Sequence, residues 1–179
     1  MTEKDILEAE LRWGIVVGAA VAVIITVIVV SSFAMNIHPP SHVETIDPTT
    51  LSTNAEFAES NLGTHVNPDG SATVRMIATQ FAFVPRCLPV PQGRRVTIRV
   101  TSPDVIHGFI IAGTNANTMV LPGYVSEVRT VFNEAGDHLM PCHEYCGLGH
   151  SEMWALVRVL APSEWKPDAN GRVVCEIPR

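Results

Sequence analysis

From Trp13 to Ala34 the chain runs WGIVVGAAVAVIITVIVVSSFA, and only Thr26, Ser31 and Ser32 interrupt the apolar run. A helix rising about 1.5 Å per residue needs about 20 such residues to cross a hydrocarbon core about 30 Å thick. The pattern predicts a membrane-spanning helix over residues 13–35 behind a short N-terminal segment, 1–12. A cleaved secretory signal fits less well, because its apolar stretch is about 7–15 residues long behind a basic leader. Here Glu3, Asp5, Glu8 and Glu10 outnumber Lys4 and Arg12. No Lys or Arg follows the span until Arg75. The positive-inside rule therefore predicts a cytoplasmic N-terminus and a remainder on the periplasmic or extracellular side of the cell membrane. Gly14, Gly18 and Ala22 make a small-residue stripe, which suits a helix–helix contact or reflects the small residues common in such spans.

Beyond the span the pattern changes twice. Residues 36–71 carry Pro39, Pro40, Pro48 and Pro68 in a polar stretch and predict a linker with little regular structure beyond a turn or two. Residues 72–179 read as a second domain. Thr73–Thr79, Val96–Ser102, Val105–Ile111, Val125–Phe132 and Ala155–Leu160 are short, rich in β-branched residues and partly alternating. Pro91-Gln92-Gly93, Pro103-Asp104, Pro122-Gly123 and Glu134-Ala135-Gly136 separate them as turns. This spacing, without an amphipathic helix, predicts a mainly β fold, a sandwich or small barrel.

Composition narrows the function classes. At 179 residues the chain holds one ordinary domain and an appendage. Net charge is −6, and its cations are scattered among acidic residues. No basic stripe forms, so nucleic acid is not an expected partner.

The chemistry concentrates in Cys142-His143-Glu144-Tyr145-Cys146-Gly147-Leu148-Gly149-His150-Ser151-Glu152-Met153, with a second imidazole upstream at His107. Soft sulfur with imidazole selects copper or zinc over magnesium or calcium. Zinc takes four Cys or His ligands, and His107, Cys142, Cys146 and His150 would suffice. Met153 favours copper, for which a thioether is a familiar weak axial ligand. One thiolate suffices for a blue-copper centre, but this loop has two. Both sulfurs can bridge a pair of copper ions, each with one imidazole and one weak axial ligand. Met153 serves one copper and the backbone carbonyl of Glu144 the other. Such a centre moves electrons and leaves no open position for a substrate, so no residue of this chain is expected to be catalytic.

His107 followed by C-x-E-x-C-x₃-H-x₂-M at Cys142 to Met153 resembles the CuA motif of cytochrome c oxidase subunit II. The similarity extends to Ser102–Phe109, Leu121-Pro122-Gly123, Tyr145–His150 and Asp47-Pro48-Thr49-Thr50, covering about residues 10–160. A single span before a compact domain is most similar to the ba-type (B-family) haem–copper oxidases. The resemblance implies a cupredoxin-like Greek-key β-barrel behind one transmembrane helix. It also implies docking on a haem-bearing subunit I, with electrons accepted from cytochrome c or a similar carrier. Oxygen reduction to water and proton translocation would belong to the complex. By resemblance Cys142 and Cys146 bridge, His107 and Met153 bind one copper, and His150 with the Glu144 carbonyl binds the other. Electrons would enter near Phe81 or Phe83, where many relatives carry Trp. The Glu144 carboxylate matches a position that in part of the family also binds magnesium at the subunit interface. Glu10 resembles an acidic position that feeds a proton channel.

Other residues carry more than one reading. Cys87 and Cys175 are free to pair outside the cytoplasm, but the sequence does not say whether they meet. Asp104 is either a hydrogen-bond partner of His107 or the start of the turn after Pro103. Trp154 is core, interface or electron conduit. His38, His42, His65 and His138 are expected to be solvated or locally hydrogen-bonded, and His143, which matches no ligand position, to be an exposed loop histidine. Rival functions are a free-standing tethered electron carrier, a nitrous oxide reductase CuA domain, which normally adds a large catalytic domain, and a copper-delivery protein.

Overall fold

A computed structural model describes residues 2–34 and 44–177. His38, His42, Pro39, Pro40 and the expected end of the span at Met35 lie outside them. The chain divides into two units, 1–37 and 38–179.

The first unit is one helix, α1 (Glu3–Ala34), of 32 residues. It begins ten residues before the apolar run, because Glu, Leu, Ala and Lys at 3–11 are good helix formers. Thr2 and Asp5 cap it reciprocally: the Asp5 carboxylate accepts from the Thr2 amide at 2.7 Å, and Thr2 Oγ1 accepts from the Asp5 amide at 3.4 Å. None of its side chains is buried, and it is long and apolar enough to cross a membrane.

The second unit is built from β1 (Glu44–Thr45), β2 (Gly63–Val66), β3 (Ala72–Thr79), β4 (Ala82–Val84), β5 (Cys87–Pro91), β6 (Arg95–Thr101), β7 (His107–Ile110), β8 (Asn117–Val120), β9 (Tyr124–Val131), β10 (Gly136–Pro141), β11 (Trp154–Leu160) and β12 (Arg172–Val173). The larger sheet orders them β1-β9-β6-β3-β2-β12, with β4 also paired to β3; the smaller is β10-β11-β5, and β7 pairs with β8. β3 runs parallel to β6 and β11 parallel to β5, and the remaining pairs are antiparallel. The architecture is mainly β, as the pattern predicts, although the sheets stay open instead of closing into a barrel.

Alternation explains the layers. In β3 Ala72, Val74, Met76 and Ala78 point inward, as do Val96, Ile98 and Val100 of β6 and Ala155, Val157 and Val159 of β11. Together with Leu88, Val90, Phe83 and Phe109 they form one buried cluster, with the Phe83 and Phe109 rings edge to face at 6.4 Å. Each large side chain among them contributes about 1.5–3 kcal/mol by leaving water. Cys142, Cys146 and Met153 belong to the same cluster, so the candidate ligands extend the core.

The stretch expected to hold little regular structure instead contributes β1, β2 and two 3-10 turns, Pro48–Thr53 and Glu59–Asn61. The Asp47 carboxylate caps the first turn by accepting from the Thr49 amide at 2.9 Å. Phe57 and Leu62 bury against Val125, with Ile46 and Ile77 alongside. This second apolar cluster offsets the entropy of ordering a segment that looks loop-like in composition. Cys87 of β5 and Cys175 are joined by a disulfide, which answers the pairing question.

Candidate metal centre

The loop from Cys142 to Met153 connects β10 to β11, two antiparallel neighbours. The Cys142 amide donates to the Met153 carbonyl at 2.9 Å and closes its neck. Phe109 of β7 bridges to Cys142, and the His143 amide donates to the Gly108 carbonyl at 3.1 Å. The strand carrying His107 is thereby pinned against the start of the loop.

Six donors converge. Cys142 and Cys146 are free thiols, almost fully buried, with sulfurs 4.0 Å apart. One donor atom each from His107, Cys142 and Cys146 lies within 4.8 Å of the others. His150 Nδ1 is 3.6 Å and Met153 Sδ 3.7 Å from the Cys146 sulfur, and the Glu144 carbonyl is 3.4 Å from the Cys142 sulfur. Burial, and then the neighbouring Cys142, push the pKa of the Cys146 thiol up to about 11.

An atom left without a partner shows how the set fits a soft metal. His107 is wholly buried, and its Nε2–H donates to Asp104 Oδ1 at 2.9 Å. That bond assigns the proton to Nε2 and leaves Nδ1 as a bare lone pair. Nδ1 has no hydrogen-bond partner, an expensive state in a protein interior. A metal ion would satisfy it, and the two unbonded sulfurs offer bridging donors. The residues fit copper.

Asp104 is the hub behind His107. It accepts from His107 Nε2, from the Gln80 and Val105 amides at 2.7 Å each, from Thr79 Oγ1 at 2.8 Å and from Ser102 Oγ at 3.0 Å. Burial pushes its carboxyl up, but these donors outweigh burial and hold it well below the usual carboxylate range. Of the two readings of Asp104, the hydrogen-bond partner is the one the geometry shows.

A family described as "Cytochrome C oxidase subunit II, periplasmic domain" matches residues 66–160, more than half of the chain. The chain belongs to the cytochrome c oxidase subunit II family. It is 35% identical to a cytochrome c oxidase subunit 2 of Thermus thermophilus over 161 residues, which is 87% of this chain and 94% of that relative. A second Thermus thermophilus subunit 2 is 40% identical over 121 residues, covering 68% of this chain and 90% of the relative. Among solved structures, a chain of a heme-copper terminal oxidase dimer superposes with a TM-score of 0.64 at 27% identity, covering 85% of this chain and 99% of that one. The second unit is thus the cupredoxin-like domain of a subunit II, and the chain is a component of an oxidoreductase complex.

The two candidate aromatic residues are placed differently. Phe83 is fully buried in the core, whereas Phe81 is 40% exposed. The Phe81 ring lies on the ligand loop, so close that a Cβ on Gly149 would meet it at 2.6 Å. The side chain of Gln80, a residue the sequence reading did not single out, donates from Nε2 to the Cys146 carbonyl at 2.6 Å. Its contact partner lies 66 residues away, and no local spacing signals it.

Magnesium finds no support at Glu144: the described residues gather no group of three donor side chains around its carboxylate. That carboxylate stands 3.4 Å from His143 Nδ1, while His143 Nε2 meets Asn117 Oδ1 at 2.9 Å. His138 reaches the Glu134 carbonyl at 3.4 Å. His65 is half-buried, with a local backbone hydrogen bond to Gly63; its Nδ1 is buried without a partner, and burial, then Arg75 and Arg172, lower its pKa. Trp154 is half-buried beneath the Arg86 guanidinium, 4.7 Å from its ring centre. Glu10 lies exposed on α1.

Proposed function

We propose that this chain is the copper-bearing, electron-accepting subunit of a membrane-anchored terminal oxidase. The observation that carries the reading is the pair of buried, unbonded thiols 4.0 Å apart, faced by the unpartnered Nδ1 of His107. Cys142 and Cys146 would hold two copper ions between them. His107 and Met153 would complete one ion, His150 and the Glu144 carbonyl the other. A copper pair sharing one unpaired electron supplies electron uptake and release with little change in bond length. The chain's own residues keep the donors fixed: Asp104 sets the tautomer and tilt of His107, and the core around Met153 and Cys146 excludes water.

Residues 13–35 would anchor the chain with residues 1–12 in the cytoplasm and residues 72–179 outside. The partner would be a haem-bearing subunit I, and the donor a cytochrome c or similar carrier. Phe81 is the better point for electrons to enter than Phe83, because its ring is open to solvent while touching the ligand loop. Glu10 would feed a proton channel, and the complex would reduce oxygen to water with proton translocation.

Electron paramagnetic resonance of the copper-loaded chain tests the reading. Hyperfine splitting from two equivalent copper nuclei is expected. A four-line mononuclear spectrum overturns it.

A further inference from the structure

Gln80 ties together two donors that the sequence keeps far apart. Its side-chain Nε2 donates to the Cys146 carbonyl at 2.6 Å, and its backbone amide donates to Asp104 Oδ2 at 2.7 Å. The other oxygen of Asp104 holds His107 Nε2 at 2.9 Å. One residue thus touches the backbone of a bridging cysteine and the carboxylate that orients a histidine.

The next residue reinforces the grip. A Cβ on Gly147 would stand 3.0 Å from Gln80 Nε2 and from the Phe81 ring, and one on Gly149 only 2.6 Å from that ring. Gly147 also has a φ of +132°, where side chains are disfavoured. Both glycines are therefore required for the Gln80-Phe81 turn to lie flat on the loop between Cys146 and His150.

We propose that Gln80 is a positioning residue for the metal centre, clamping the Cys146–His150 segment in register with His107. The inference rests on the copper reading above and goes beyond it to a residue that touches no metal. Without the side-chain bond, the sulfur of Cys146 and the imidazole of His107 lose their common reference. The two metal positions then become unequal.

The test uses the full-length chain with Gln80→Leu and with Gln80→Glu, which keeps the shape but replaces the donor N–H by a carboxylate oxygen. In the metal-free chain, amide hydrogen exchange over residues 146–150 is expected to quicken about fivefold, the worth of one neutral hydrogen bond. After copper loading, the hyperfine pattern is expected to shift toward two inequivalent nuclei, with faster copper loss to a chelator. Unchanged exchange in both variants overturns the proposal, as does faster exchange with an unaltered copper spectrum. If the unsubstituted chain itself gives no dinuclear spectrum, the copper reading fails, and the exchange rates alone decide whether Gln80 clamps the loop.

Discussion

Cys142 and Asp104 act on the centre in different ways, and substitution should separate them. In the proposed centre Cys142 would supply a bridging sulfur, and a serine hydroxyl is a harder, poorer copper donor. Cys142→Ser should abolish the two-nucleus hyperfine pattern, and survival of that pattern would remove the bridging assignment. Asp104 touches no donor sulfur and works through the His107 ring. Asp104→Asn retains the shape and loses the charge that favours Nε2–H on His107. Losing such an outer partner typically costs about 10–100-fold in metal affinity, to be read by competition with a copper chelator. The candidate donors were legible at this scale because five of the six sit within one loop, at a spacing that resembles a known family motif, and the fold brings His107 to them. Gln80 was not, because its bond to the Cys146 carbonyl exists only once the turn after β3 folds onto that loop.

At the scale of elements, legibility followed the difference between the two faces of each strand. Alternation in β3, β6 and β11 is visible because one face enters the core and the other does not. β5 was invisible for the opposite reason: all five residues are buried and two of them are proline. As an edge strand paired only with β11, it tolerates Pro89 and Pro91, whose missing amides no further neighbour requires. The order in the segment at 44–62 was hidden because its partners lie on the outer face of the larger sheet. There Arg75 pairs in register with Arg99, and Arg99 with Glu127. Glu56 comes down onto this row. Arg99 donates to both Glu56 oxygens, to Glu127 at 2.8 Å and to Glu44 at 2.8 Å, so one guanidinium fastens the segment to the sheet. Burial pushes the Glu56 carboxyl up, but the hydrogen bonds and charges of Arg99 and Arg75 outweigh it and hold the pKa below its ordinary value of 4.5. A carboxyl whose pKa is lower folded than unfolded stabilises the fold above the unfolded pKa and loses that contribution as pH falls through the folded one. Glu56→Gln should therefore be less stable than the parent at pH about 7, with the gap closing below pH about 4.5. Urea midpoints across that range would show it, and a gap independent of pH would mean the ion pairs contribute nothing.

Across the whole molecule, the metal loop and the disulfide draw on the β-domain in separate ways. The bond between Cys87 and Cys175 spans 88 residues of sequence and ties the C-terminal segment to the edge of the smaller sheet. Cross-linking a loop of that length restricts the unfolded chain, worth about 4–5 kcal/mol in the chain-entropy account. Cys87 pairs in register with Leu156, three residues past Met153, so the bond supports the strand that leaves the metal loop. The donors themselves are set elsewhere, by the neck at Cys142 and Met153 and by the hub at Asp104. Replacing both cysteines, Cys87→Ala with Cys175→Ser, avoids leaving a stray thiol to compete for copper. The double variant should lower unfolding free energy by about the chain-entropy amount while its copper spectrum at low temperature matches the parent's. A matched loss of spectrum and stability would show instead that the smaller sheet relies on the cross-link to hold Met153 in place, making the disulfide part of the metal centre.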